Sequence, residues 1–127
     1  MNINEINDRL QELNIEDFIW IIYIGIIALS FYSNSLERKY FLFGNIEDRD
    51  KYRNIIIIIF SILVIVYLYF LKDSWDSIKE LKPNTSEQTK NLTYLSFIAS
   101  LLIAVSGFIF LYIAIKDEDL NVELAFN

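Results

Sequence analysis

Apolar residues run without a single Asp, Glu, Lys, Arg or His through three stretches, Phe18 to Tyr32, Ile55 to Leu71 and Leu92 to Ile115. At about 1.5 Å of rise per helical residue, roughly 20 residues cross a hydrocarbon core of about 30 Å. The third stretch spans unaided and the first two recruit their flanks. The pattern predicts an all-α fold, a three-helix transmembrane bundle in a single membrane domain over 1–127. Its parts are an amphipathic N-terminal helix (1–14), span 1 (15–36), a charged helical hairpin (37–54), span 2 (55–71), a loop (72–91), span 3 (92–115) and an acidic tail (116–127).

Ile3, Ile6, Leu10 and Leu13 step by three, four and three, so one face of the first helix is apolar and the other acidic. Surface-lying membrane helices carry Lys and Arg on the wet face, whereas this one carries carboxylates, so the stripe reads as a docking face for a protein neighbour. A frayed terminal helix is the plainer alternative. Asn14-Ile15-Glu16-Asp17 reads as the capped start of span 1, with Leu13 stapling against Phe18. The same four residue types recur at Asn45-Ile46-Glu47-Asp48 before span 2, as one capping solution used twice.

Leu29, Leu36 and Phe43 keep a seven-residue spacing through the charges at Glu37, Arg38 and Lys39. The first helix should therefore continue past the bilayer to a glycine stop at Gly44, with Asn45 starting the next at once. The result is an antiparallel hairpin protruding from the membrane; the alternative lays Tyr40 to Phe43 flat at the interface. Pro83, followed by Asn84, Thr85, Ser86 and Glu87, marks a turn into the third helix. In the tail, Leu120, Val122, Leu124 and Phe126 alternate with polar or small residues, a period of two that fits an extended segment against a surface, or else a disordered end.

Span 3 carries a stripe of small residues, Ser96, Ser100, Ala104, Gly107 and Ala114, along one face. In lipid, apolar bulk gives a helix no preference for protein over acyl chains, while small residues allow close approach, so this stripe reads as the helix-packing seam. The bulky second helix, with Ser61 as its small residue, is the expected partner within the chain. Self-association through the same stripe is the sharper alternative.

Composition removes several chemistries. With no cysteine and no histidine, the chain has no disulfide, thiolate or imidazole, and a zinc site would need carboxylates alone. The net charge of -6 argues against a nucleic-acid partner. Asp117, Asp119, Asn121 and Glu123 imitate the opening of a calcium loop, but the glycine at its sixth position is missing. No catalytic residue, cofactor, metal site or small-molecule substrate is indicated. Charged groups, the usual mark of ion and proton paths, are absent from the three apolar stretches.

The acidic N-terminal segment is unlike the basic start of a signal peptide. Basic residues divide as six on the side of loop one and the tail against five on the other, and with Arg38 and Lys39 following span 1 this puts the first loop and the C-terminus in the cytoplasm. The segment Asn91 to Ile115, with the ending Asp119-Leu120-Asn121-Val122-Glu123-Leu124-Ala125-Phe126-Asn127, resembles uncharacterised three-span membrane proteins of large AT-rich DNA viruses. That resemblance implies a component of a viral or virus-remodelled membrane. The expectation is a non-enzymatic structural or accessory component of a membrane assembly, with the bilayer and a protein as partners. The alternative is a homo-oligomeric channel or permeability factor lined by span 3.

Overall fold

A computed structural model describes residues 2–124 as three helices in chain order, α1 (Ile3–Phe43), α2 (Ile46–Lys79) and α3 (Glu87–Lys116). Each is long and apolar enough to cross a bilayer. At about 1.5 Å per residue they measure roughly 60, 50 and 45 Å, all longer than a hydrocarbon core of about 30 Å. Their surfaces are apolar where a soluble protein would be polar: Ile24, Phe31, Ile65 and Leu102 are all more than 60% exposed. With the three crossings, this makes the chain an integral membrane protein.

The helix ends follow from their caps. The side chain of Asn2 accepts the Glu5 N–H at 2.9 Å, and that of Asn45 accepts the Glu47 N–H at 2.9 Å. Gly44 takes the left-handed conformation at φ 68° and donates its N–H to the Tyr40 carbonyl at 2.7 Å, ending α1 one residue before Asn45 starts the turn into α2. The hairpin is therefore two helices joined by a two-residue connection. Ser86 caps α3, accepting from the Thr89 N–H at 3.2 Å.

Three boundaries differ from the sequence expectation. α1 runs through Asn14 to Asp17 without interruption, so the N-terminal amphipathic segment is the beginning of span 1's own helix and Asn14 is not a cap. One asparagine inside a helix costs only about 0.7 kcal/mol, while a break at the lipid boundary would orphan up to four N–H and four C=O groups. Arg9 pairs with Glu12 at 3.0 Å inside the first part and reaches Glu16, beyond Asn14, at 3.9 Å. The loop expected over 72–91 shrinks to 80–86, because α2 continues to Lys79 and α3 begins at Glu87.

α2 lies in the middle and packs against both neighbours, while α1 and α3 do not meet. A helix covered on two sides needs two apolar faces, which explains why α2 is so uniformly Ile, Val, Leu, Tyr and Phe. It supplies Tyr52, Ile56, Ile59, Phe60 and Leu63 to the core cluster, joined by Ile26 and Leu36 of α1 and Ala114 of α3. Hydroxyls within the crossings turn back on their own helices, Ser33 Oγ donating to the Ser30 carbonyl at 2.9 Å and Ser61 Oγ to the Ile57 carbonyl at 2.7 Å. Beyond Lys116 the chain turns back, and Leu124 joins the core cluster.

Candidate interaction surfaces

The first turns of α1 turn one face toward the chain itself and leave the other open. Arg9 and Glu12, with Glu5 and Asp8, border a cleft whose far wall is Glu80 and Lys82 of the α2–α3 connection. Further along α1, Glu12 and Glu16 face Asp73 of α2 closely enough to disfavour its charged form. Asp73 lies two residues beyond the crossing segment 55–71. Burial raises its pKa above the usual carboxylate range, and repulsion from Glu12 and Glu16 adds to this against the opposing charge of Arg9. The acidic face is thus turned toward the protein itself. Ile3, Ile6, Leu10 and Leu13 remain 73%, 43%, 53% and 39% exposed, so the apolar stripe expected to dock is left open to the surroundings.

Because α1 and α3 stand apart, a groove opens along α2 between them. Its walls are Trp20 and Tyr23 from α1, Tyr67 and Asp73 from α2, and Ser96 and Ser100 from α3, enclosing about 380 Å³. Trp20 and Tyr23 stack edge to face at 5.6 Å and, with Tyr67, separate this groove from a second one of about 490 Å³ that runs toward Asn34. The hydroxyls of Ser74 and Ser77 on the groove wall donate to the Leu71 and Asp73 carbonyls at 2.9 and 3.1 Å, so they are engaged with their own helix. The groove offers an apolar, hydroxyl-dotted wall to an acyl chain or a neighbouring helix. Among the described residues no group of three or more acidic side chains is placed to hold a metal ion.

The five small residues of α3 do not share one environment. Ala104, Gly107 and Ala114 are buried, Ser100 is half-buried on the groove wall and Ser96 is exposed. Gly107 sits so close to α2 that a Cβ placed on it would lie 2.8 Å from Cδ2 of Tyr67 and 3.4 Å from Cγ2 of Val64. Phe60 against Phe110 at 5.6 Å and Trp75 against Phe97 at 5.5 Å bracket that approach. The pairing of Trp75 with Phe97 also shows that the first turns of α3, apolar from Leu92 to Phe97, run beside the charged end of α2.

Sequence reasoning missed a third surface, where the tail folds onto the hairpin. The alternation at Leu120, Val122 and Leu124 does not make a strand: Leu120 and Leu124 turn toward the core, and Val122 stays 52% exposed. The Asp117 carboxylate accepts the N–H groups of Asn121 at 3.0 Å and Val122 at 2.8 Å and so curls the chain, with Leu120 in the left-handed region at φ 56°. This is why the period of two fails. Arg49 pairs with Asp119 at 3.5 Å, and Nη2 of Arg53 donates to the Ile115 carbonyl at 3.1 Å, satisfying an orphan acceptor at the end of α3. Only the spacing of Asp117 to Asn121 hinted at this turn; the cross-helix pairs left no local signal. Phe126, the last apolar position of the alternation, lies outside the described residues.

No family model, curated protein or solved structure matches the chain. Its reading rests on these surfaces.

Proposed function

We propose that the chain is a non-enzymatic structural or accessory component of a membrane assembly, joined to a protein neighbour through the first turns of α1. The exposed stripe of Ile3, Ile6, Leu10 and Leu13 supports this most directly, because it is carried on a helix continuous with span 1 and left uncovered by the rest of the chain. A rigid, apolar-faced extension of this kind binds as a helix in a groove, with anchors spaced by three and four. The resemblance to three-span proteins of large AT-rich DNA viruses would put the assembly in a viral or virus-remodelled membrane.

Purification from native membranes in mild detergent should yield a stoichiometric complex with another protein, and Ile6→Glu with Leu10→Glu should release that partner while leaving the chain in the membrane. Recovery of the unaltered chain as a lone monomer would overturn the reading. The proposed cytoplasmic placement of loop one and the tail is checked with single cysteines, which the chain otherwise lacks. A cysteine at Asn45 should be shielded from an impermeant maleimide in intact cells and one at Asn84 labelled.

The channel alternative draws support from the hydroxyls of the groove between α1 and α3, with Ser96 and Ser100 as the contribution of span 3. It draws less from the small-residue seam, since Ala104, Gly107 and Ala114 face α2 and leave little of that stripe for a second copy. Conductance from reconstituted protein that is altered by Ser100→Leu would favour it.

A further inference from the structure

Where the tail meets the hairpin, the structure leaves a cavity of about 240 Å³, bordered by Glu37 and Phe41 of α1, Arg53 of α2, and Asp117 and Glu123 of the tail. At about 30 Å³ per water, this is room for several waters or one small polar group. Nε of Arg53 is buried there without a hydrogen-bond partner, while Nη2 of the same guanidinium is spent on the Ile115 carbonyl. A buried guanidinium N–H is strongly driven to find an acceptor. Asp117 is occupied by the N–H groups of Asn121 and Val122. Glu37 and Glu123 border the same space and form no ion pair among the described residues.

The cavity's depth narrows the choice of ligand. Its inner wall is Ile56, Ile113 and Ala114, and its outer wall is the charged tail. Glu37, Arg53 and Lys116 are the first charges beyond the three crossings at this end, which is the level of lipid phosphates. A simple anion here would face three carboxylates, Glu37, Asp117 and Glu123, and a bare cation would face Arg53. A group carrying a phosphate and an ammonium a few ångströms apart satisfies both. We propose that this cavity binds the headgroup of an amine-bearing phospholipid, its phosphate on Arg53 and its ammonium between Glu37 and Glu123. Phe41 supplies an aromatic wall beside the ammonium. The site lies at the opposite end of the molecule from the α1 docking stripe and stands independently of it.

The test is native mass spectrometry of the full chain released from detergent micelles doped with equal amounts of phosphatidylethanolamine and phosphatidylglycerol. The unaltered chain should retain one phosphatidylethanolamine, in preference to phosphatidylglycerol by on the order of tenfold, as losing one charge-assisted contact would imply. Arg53→Gln should lose the adduct. Glu37→Gln with Glu123→Gln, both at the rim where folding is not at risk, should keep a lipid but shift the preference toward phosphatidylglycerol. Equal retention of the two lipids by the unaltered chain, or an unchanged preference in the double variant, overturns the proposal. Binding of free phosphoethanolamine without retention of the lipid overturns the lipid as the source.

Discussion

Replacing Gly107 with alanine tests whether the α2–α3 approach is set by close contact rather than by bulk hydrophobicity. The new methyl would arrive 2.8 Å from Cδ2 and 3.2 Å from Cε2 of Tyr67, against an unstrained carbon–carbon separation of about 3.5–4.0 Å, so helix or ring must move by about 1 Å. Overpacking of this kind costs about 1–3 kcal/mol, and the better helix propensity of alanine returns about 1 kcal/mol, for a net loss of up to about 2 kcal/mol. In a Tyr67→Ala background the colliding ring is gone. There Gly107→Ala should be neutral or stabilising by up to about 1 kcal/mol. The four proteins form a double-mutant cycle with a coupling of about 1–3 kcal/mol, measured by denaturant titration of helix content in mixed micelles. A Tyr67→Phe background must not relieve the clash, because both colliding atoms belong to the ring itself. Equal effects of Gly107→Ala with and without the Tyr67→Ala change would refute the reasoning.

Other substitutions probe the ends. Gly44→Ala places a Cβ in open space but in a left-handed conformation, so its cost of about 1–2 kcal/mol is pure backbone strain, and Gly44→Asn should recover part of it in the same titration. Asp117→Ala removes the acceptor of two backbone N–H groups and should free the tail, which limited proteolysis would register as faster cleavage after Lys116. The Asp73 pKa is raised in the folded state, so the fold binds its proton more tightly than the unfolded chain. Its contribution is therefore favourable at low pH and lost as pH rises from its ordinary value of 3.8 through the raised one. Asp73→Asn should flatten the unfolding midpoint across that window and raise it slightly at neutral pH; a midpoint that still falls with pH in the variant would remove Asp73 as the cause.

The sequence made the crossings and their turns legible for a simple reason: lipid enforces long charge-free runs, and Gly44, Asn45 and Ser86 announce their positions by the local chemistry of helix ends. Asn14 misled because it has the same chemistry without the same context. A cap signal in the middle of a chain competes with the backbone bonds it would break, and here Arg9 pairs across the supposed boundary to Glu16. The middle position of α2 was half legible, in the evenness of its apolar residues. The tail was not, because its turn is held by one carboxylate and its docking by Arg49 and Arg53, residues more than 60 positions away in sequence for the Arg53–Ile115 bond.

A sheet-like row of three helices, with α2 alone contacting both others, has a consequence for where function lies. A closed bundle would hide its polar atoms at the centre, whereas this arrangement leaves two outer helices whose far sides meet lipid or a partner, and a groove between them. Within the crossings those far sides are aliphatic and aromatic residues without charge, so they distinguish poorly between lipid and protein. Selective chemistry is left to the two ends. One end offers the α1 stripe with its acids turned inward, the other the Arg53 cavity under the folded tail. Since α1 is one unbroken helix from Ile3 to Phe43, it links both ends mechanically, the stripe at its start and Glu37 and Phe41 near its finish. Anchoring at one end therefore fixes the tilt at which the other meets its neighbours. Single substitutions at Arg53 should accordingly leave partner affinity at Ile6 and Leu10 unchanged in detergent, where tilt is unconstrained, and weaken it in a bilayer. Equal loss in both media would show that the two ends communicate through folding rather than through orientation.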